Sequence, residues 1–329
     1  MKSIKTAIAA IATMATTASF GGLYIVAGGD FRQPALEYTV ETKANNQTTN
    51  ISPVKATGTT NPSWSVKTDG VEYQGVNDTN YMYHTYAAAG THSVKVYNSS
   101  GANLRFDFKR PSDGNNNQTL RNIRSIKVNG DNSVQMYGNL FITNFVFNNV
   151  SYIPQNSFAF CGDASHSAKL TFLGNRPLTI QYEAFSFNEL LREVEIPTNT
   201  VEIGRSAFTM CKRLDKITLP NKSIIINTDM YNSSRKNFTS VFRRCSITKV
   251  MFKGTLSDWA ANTTYTRIFG EVTSETPDAN GGYSLSYSTY AQELEEHRSD
   301  SYFTQGTPDA DEFEQNSRNG LIKLYLVNE

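Results

Sequence analysis

Between Ile153 and Phe252 the apolar positions of the chain recur with a fixed period. Ile180-x-x-x-Ala184-Phe185-x-x-Asn188-x-x-Leu191-x-x-Val194-x-Ile196-Pro197 is followed by Ile203-x-x-x-Ala207-Phe208-x-x-Cys211-x-x-Leu214-x-x-Ile217-x-Leu219-Pro220. The two segments align at every named slot with a spacing of 23 residues. Self-similarity at periods of roughly 20–50 residues marks stacked-repeat architectures. Two further copies flank the pair. Upstream, Ile153 to Phe158 and Cys161 open a copy whose strand holds Leu170 and Phe172, after a polar insertion at Gly162 to Ser167. Downstream, Ile224 and Ile226 lead through a long loop to Val241-Phe242 and Cys245, and Val250 and Phe252 supply the strand pair.

Each slot has a physical role. The Val/Ile-x-Ile/Leu pair alternates with period two, so both members of one short strand face the same side. Pro follows where the strand ends and a missing N–H costs least. Ala permits close approach of the opposite wall, and Phe fills the space between walls. One copy cannot bury this surface alone, whereas stacked copies can. Cys161, Cys211 and Cys245 occupy the slot that Asn188 holds in the remaining copy, which reads as a small buried side chain. Adjacent coils lie about 4.8 Å apart, so a Cys211–Cys245 disulfide is a minor alternative.

The pattern Ile-x-x-x-Ala-Phe-x-x-Cys-x-x-Leu-x-x-Ile-x-Leu-Pro resembles the BspA-like (treponemal-type) leucine-rich repeats. The segment Gly254-Thr255-Leu256-Ser257-Asp258-Trp259 is similar to the Gly-Thr-x-x-Glu-Trp closing segment of such repeats, with Asp258 as the acidic residue and Trp259 closing the stack. The resemblance implies a short solenoid over 151–260. It implies the settings in which such repeats occur, bacterial surfaces and phage particles, with adhesion and binding as the associated roles. The family shares no catalytic site, so no functional residue carries over.

Upstream the pattern changes to short strands with turn signals: Leu36-x-Tyr38-x-Val40, Trp64-x-Val66, and a run from Tyr83 to Tyr97 with a small-residue turn at Gly90 and the alternating pair Val94-x-Val96. Trp64, the turn Thr68-Asp69-Gly70 and Gly90-Thr91-His92-x-Val94 resemble a PKD-type immunoglobulin-like domain, here with His92 where that family has Tyr. The expected fold class is therefore mainly β, an N-terminal Ig-like β-sandwich followed by the solenoid. The expected divisions are an anchoring or signal-like segment at 1–35, the sandwich at 36–98, a β-rich connector at 99–150, the solenoid at 151–260 and a tail at 261–329. The connector either joins the two modules or includes a degenerate first repeat. In the tail, Leu321-x-x-Leu324-x-Leu326 reads as a final strand and Tyr290 to His297 as one or two helical turns.

Charge narrows the function classes. Thirty-one basic residues against 30 acidic leave a net charge of +1 with no basic block, whereas nucleic-acid binding needs several phosphates neutralised from one face. Three widely spaced cysteines form neither a disulfide framework nor a zinc pattern. Lys2 and Lys5 before Ala7 to Ala15, with small residues at Thr16 to Ser19, resemble a secretory signal diluted by threonine. It is either cleaved or kept as an anchor, and no second stretch reaches the roughly 20 apolar residues of a membrane span.

The four histidines, His84, His92, His166 and His297, have no partner at metal-ligand spacing. His84 and Tyr86 read as a structural hydrogen-bonding pair at a sandwich corner. Asp113 to Asn117 mimic the start of a calcium loop, but Arg124 stands where a bidentate Glu is needed. Asp309, Asp311 and Glu312 read as a solvated acidic run. Asn-x-Ser/Thr triplets at Asn46, Asn98 and Asn262 arise readily in a chain so rich in these residues.

These observations point to a non-enzymatic structural and recognition protein with no catalytic, cofactor or metal site. The first expectation is a phage virion component (head fibre, tail fibre or decoration protein) that contacts other virion or surface proteins through its N-terminal region. It would assemble as a homo-oligomer and display a surface toward host glycans or proteins. The alternatives are a secreted or cell-surface bacterial adhesin and, third, an accessory part of a surface hydrolase. Binding is expected at the polar positions beside the repeat strands, Glu193, Glu195, Lys216 and Thr218, which read equally well as solvated strand faces.

Overall fold

The computed structural model describes residues 32–52, 55–57, 63–75, 82–99, 103–108, 123–139, 141–161, 167–226, 240–242, 245–286 and 322–327. Seven strands, β1 (Leu36–Thr42), β4 (Trp64–Thr68), β5 (Val71–Gln74), β7 (Gly90–Asn98), β9 (Ile123–Asn129), β11 (Asn144–Asn148) and β13 (Lys169–Leu173), form one sheet in the order β13-β11-β9-β1-β7-β4-β5. Strand β1 alternates buried and half-buried residues along its length. It runs antiparallel to β7 on one side, with Leu36 opposite Val96, and to β9 on the other, with Leu36 opposite Val128. From β9 onward the ladder is parallel, β9 to β11 to β13. The antiparallel N-terminal strands and the parallel coils thus share one continuous sheet, and no break in it marks the divisions at 98 or 150.

Two smaller sheets accompany the seven-stranded one. Strand β2 (Gln47–Asn50) pairs with β6 (Tyr83–Tyr86), and β3 (Lys55–Thr57), β8 (Arg105–Asp107) and β10 (Ser133–Gln135) form a further three-stranded sheet. Between β4 and β5 the two residues Asp69 and Gly70 both have positive φ, 47° and 80°. That is the geometry of a type I′ hairpin, which an Asp-Gly pair favours. The turn inferred at Thr68-Asp69-Gly70 is this hairpin.

The repeat copies stack as flattened coils. One wall is the parallel sheet β15 (Glu193–Glu195), β17 (Lys216–Pro220), β19 (Lys249–Lys253) and β21 (Lys323–Leu326), with β20 (Tyr283–Ser284) antiparallel at its edge. The other wall is β12 (Tyr152–Ile153), β14 (Leu178–Ile180), β16 (Thr200–Ile203) and β18 (Ile225–Ile226). The stretch 99–150 contributes β9 and β11 as coils in register with β13, and the tail contributes β21. Tyr290 to His297, Asp113 to Asn117 and the run Asp309 to Glu312 lie outside the described residues.

The turns between the walls are hydrogen-bonded from coil to coil as regularly as the strands. Asn156, Phe158 and Phe160 donate their N–H groups to Tyr182, Ala184 and Ser186 at 3.2, 2.8 and 2.9 Å. Glu183, Phe185 and Phe187 donate in turn to Arg205, Ala207 and Thr209 at 3.1, 2.8 and 2.7 Å. Aiming alternate amides at the next coil requires left-handed backbone at two slots per copy. Asn156, Glu183 and Ser206 hold the first, with φ of 55°, 51° and 57°, and Phe160, Phe187 and Met210 hold the second, with φ of 56°, 54° and 61°. Such a conformation costs a non-glycine residue about 1–2 kcal/mol, and it persists because the inter-coil bonds fix it.

Inside the turns the repeat Phe residues form a column. Phe158 and Phe185 stack at 5.6 Å and 16°, Phe185 and Phe208 at 5.3 Å and 5°, and Phe208 and Phe242 at 5.7 Å and 15°. All four are buried. Phe269 continues the column from helix α2 (Thr263–Phe269). Helix α1 (Leu256–Ala261) starts with a capping box between Thr255 and Asp258, which fixes its first turn. Its Trp259 is fully buried against Phe252, and the indole N–H donates to Gly270 at 3.2 Å. Asn262 is buried and caps α2 through Tyr265 N–H, so that Asn-x-Thr triplet has a structural role.

The cysteine slot has a more specific role than filling space. The thiols of Cys161, Cys211 and Cys245 donate to the carbonyls of Met136, Phe185 and Phe208 at 3.2, 3.2 and 3.0 Å. Asn188 donates its amide to the Phe158 carbonyl at 3.4 Å. In each case the slot residue satisfies a carbonyl of the preceding coil, which explains why Cys and Asn interchange there. All three cysteines are buried and outside any disulfide, and burial pushes the Cys161 thiol pKa up to about 12.

A charged link ties the first coils together. Asp131 accepts from the Ser151 N–H at 2.9 Å and hydroxyl at 2.7 Å, and pairs with Arg176 at 2.5 Å. Burial pushes the carboxyl pKa up, but the bonds from Ser151 and Arg176 outweigh this and hold it below the ordinary carboxylate value. A depressed folded-state pKa adds stability that is complete above the unfolded value of about 3.9 and is lost as pH falls through the folded value.

Two outcomes follow from these contacts. Asn188→Cys keeps a donor for the Phe158 carbonyl but gives up the acceptor for the Leu190 N–H, whereas Asn188→Leu leaves both groups unpaired and should cost at least about 1 kcal/mol more than Asn188→Cys; urea denaturation followed by tryptophan fluorescence reads both. Asp131→Asn should narrow the difference in urea midpoint between about pH 7 and about pH 2, and a difference equal to that of the unsubstituted protein would remove the carboxylate from the acid response.

Candidate recognition surface

The outward face of the β15–β21 sheet carries the polar positions singled out in the sequence. Register places Glu193, Lys216, Lys249 and Lys323 in one row across four strands, and Glu195, Thr218, Met251 and Tyr325 in the next. Glu193 pairs with Lys216, and Glu195 pairs with Lys253 at 2.5 Å. These pairs are exposed, so each contributes little to stability, on the order of 0–1 kcal/mol.

The two large sheets meet at β13 and β15, where they touch through one bridge, Ala168 to Leu191, and then part. The cause is a one-residue difference in chain length. In five other coils of this wall two outward residues separate the slot residue from the strand core: Arg124 and Ser125, Thr143 and Asn144, Arg192 and Glu193, Asp215 and Lys216, Thr248 and Lys249. In β13 a single residue, Lys169, lies between buried Ala168 and buried Leu170. After the bridge the inward residues of β13 and β15 therefore fall out of phase by one. A one-residue slip sends side chains to opposite faces, so the ladder stops.

A groove of about 630 Å³ opens at this split, within the size range of small-ligand sites. Buried Leu170 and Val194 lie at its floor, and Lys169, Arg192, Asp215 and Lys249 stand around it with the hydroxyls of Thr143, Ser167 and Thr218. The carboxylates of Glu193 and Glu195 are occupied by Lys216 and Lys253. The side chains of Lys169, Arg192, Lys249 and Asp215 have no ion-pair partner among the described residues. Of the four positions named from sequence, all line this groove. Lys169, Arg192, Asp215 and Lys249 were missed, although the short Ala168-x-Leu170 spacing beside Leu191-x-x-Val194 was there to mark them.

Two other places carry notable side chains. His84 and Tyr86 sit in a compact set: the Tyr73 hydroxyl meets His84 Nδ1 at 2.9 Å, the Tyr86 hydroxyl meets Thr68 at 2.9 Å, and His92 stacks on Tyr86 at 3.8 Å while meeting Thr42 at 3.0 Å. Burial pushes the Tyr86 hydroxyl up to about 12. These contacts engage the hydroxyls of Thr42, Thr68, Tyr73 and Tyr86 and one ring nitrogen of each histidine. The second place is an exposed ridge of Tyr137, Phe160 and Phe187, with Phe160 and Phe187 stacked at 4.3 Å and 7°. Among the described residues no three His, Cys, Asp or Glu side chains gather as metal ligands, and no helix is long and apolar enough to cross a membrane.

Residues 134–265 match the family model described as BspA type leucine rich repeat region, in six copies. The matched span begins at β10, upstream of the copies traced from Ile153. No curated protein and no solved structure matches the chain.

The phase argument has a direct test. A single Ser inserted between Ala168 and Lys169 restores the two-residue step. It should let β13 and β15 pair, seen as slower amide hydrogen exchange in Lys169–Leu173 and Glu193–Glu195; unchanged exchange in both strands would refute the cause given for the split.

Proposed function

We propose that this chain is a non-catalytic recognition and display protein of adhesin type, with the outward face of the repeat sheet as its contact surface. BspA-type repeats are a binding scaffold characteristic of surface and secreted proteins, and that match is compatible with the adhesin reading. The observation that carries the proposal is the open groove at the β13–β15 split, where the cationic side chains of Lys169, Arg192 and Lys249 have no ion-pair partner among the described residues, beside the exposed pairs Glu193–Lys216 and Glu195–Lys253. Strands fixed on both walls hold these groups in place before any ligand arrives, which lowers the ordering cost of binding.

In this reading the strands of 36–98, with their resemblance to PKD-type immunoglobulin-like modules, act as a stalk that presents the solenoid. The narrower assignment to a phage particle draws no support from the repeat match, so the proposal is limited to display outside the cell. A hydrolase accessory role has no observation in its favour.

The test is retention of the full chain on an array of bacterial and mammalian glycans and matrix proteins. Thr218→Glu on the sheet face should lower retention at least about tenfold, the equivalent of about 1.4 kcal/mol. Val201→Glu, on the exposed part of the opposite wall, should leave it unchanged. Equal loss from both, or none from Thr218→Glu, would move the contact surface elsewhere.

A further inference from the structure

We infer that the groove at the β13–β15 split is a binding site for an acidic sugar, a carboxylate-bearing residue of a polysaccharide. The inference rests on the recognition reading above and adds the ligand class. Charge sets the first requirement. With Glu193 and Glu195 committed to lysines, the unengaged groups of the lining are three cations, Lys169, Arg192 and Lys249, and one carboxylate, Asp215. A neutral sugar leaves the cations unanswered, and a cationic ligand is repelled by them. An arginine guanidinium suits a planar carboxylate because it offers two parallel N–H donors.

Asp215 sets the second requirement. A carboxylate beside three cations accepts hydrogen bonds and is a poor neighbour for another anion. It therefore fits a ligand that brings hydroxyl donors along with its negative charge. The hydroxyls of Thr143, Ser167 and Thr218 stand in the same lining and add groups of matching chemistry. A hydroxyl-rich anion meets both requirements at once. An acidic peptide brings carboxylates without hydroxyls and meets only the first.

The groove exists because β13 is one residue short, and this separates the site from ordinary surface charge. The Ser insertion between Ala168 and Lys169 keeps every cation and the carboxylate but closes the split. Arg192→Ala keeps the split and removes one anion contact.

The experiment measures binding of the full chain to hyaluronan oligosaccharides, polysialic acid and chondroitin sulfate by biolayer interferometry. Carboxyl-reduced hyaluronan is the neutral control, and poly-glutamate is the acidic-peptide arm. At least one carboxylated glycan should bind. Its affinity should fall about tenfold or more in Arg192→Ala and in the inserted variant, fall with added salt, and be lost on carboxyl reduction. Thermal melting of both variants reports that they are folded; should the inserted chain fail to fold, Arg192→Ala and Lys249→Ala carry the decision. The inference is overturned by equal binding of the reduced sugar, by equal or tighter binding of poly-glutamate, by undiminished affinity in folded variants, or by failure of all three glycans. Retention on the array that depends on Thr218, with no acidic glycan bound, would overturn this ligand class while leaving the recognition reading standing.

Discussion

The structure depends on one constraint, that each coil hands its unsatisfied backbone groups to the next. A short strand of three to five residues cannot hold itself flat, and a turn with two left-handed residues cannot hold itself at all. Both become stable only when the neighbouring coil supplies acceptors for Asn156, Phe158 and Phe160, or for Glu183, Phe185 and Phe187. The stacked phenylalanines and the thiol or amide in the fourth slot are consequences of that spacing. Rings about 5.3–5.7 Å apart fill the column, and a side chain one atom-shell long reaches the carbonyl of the coil before.

Much of this was legible in the residues, because a repeat states the same physical requirement several times. The alignment of Phe185 with Phe208 and of Val194 with Ile217 fixes which side chains share an interior. The Cys/Asn alternation at 161, 188, 211 and 245 marks one slot. Its donor role was not legible, since a buried thiol reads as a small hydrophobe until the acceptor carbonyl is seen. The union of the N-terminal strands with the coils was also hidden. Alternation in Leu36-x-Tyr38-x-Val40 says that a strand has one buried face and does not say which strands lie beside it. Only the register of β1 between β7 and β9 supplies that.

The groove at the β13–β15 split shows the same division. Glu193, Glu195, Lys216 and Thr218 follow from the outward phase of the repeat strands. Lys169, Arg192 and Lys249 gain their significance from an irregularity, a missing residue before Leu170. In a repeat protein a regular coil serves stability and is interchangeable with its neighbours, so a departure from the period is where a specific surface can arise. The two sheets are each well paired up to the split, and the disorder of phase is confined to one strand pair.

The placement of β1 has a mechanical consequence. A load applied to the chain at Pro34 would enter at the end of a strand clamped on both sides, with ladders to β7 and β9 running along its length. Tension entering there acts parallel to the strand, so the cross-strand bonds are strained together in shear instead of opening one after another like a zip. Forced unfolding is governed by the barrier to rupture rather than by equilibrium stability. Such a load would therefore have to shear this strand from both of its neighbours at once before it came free.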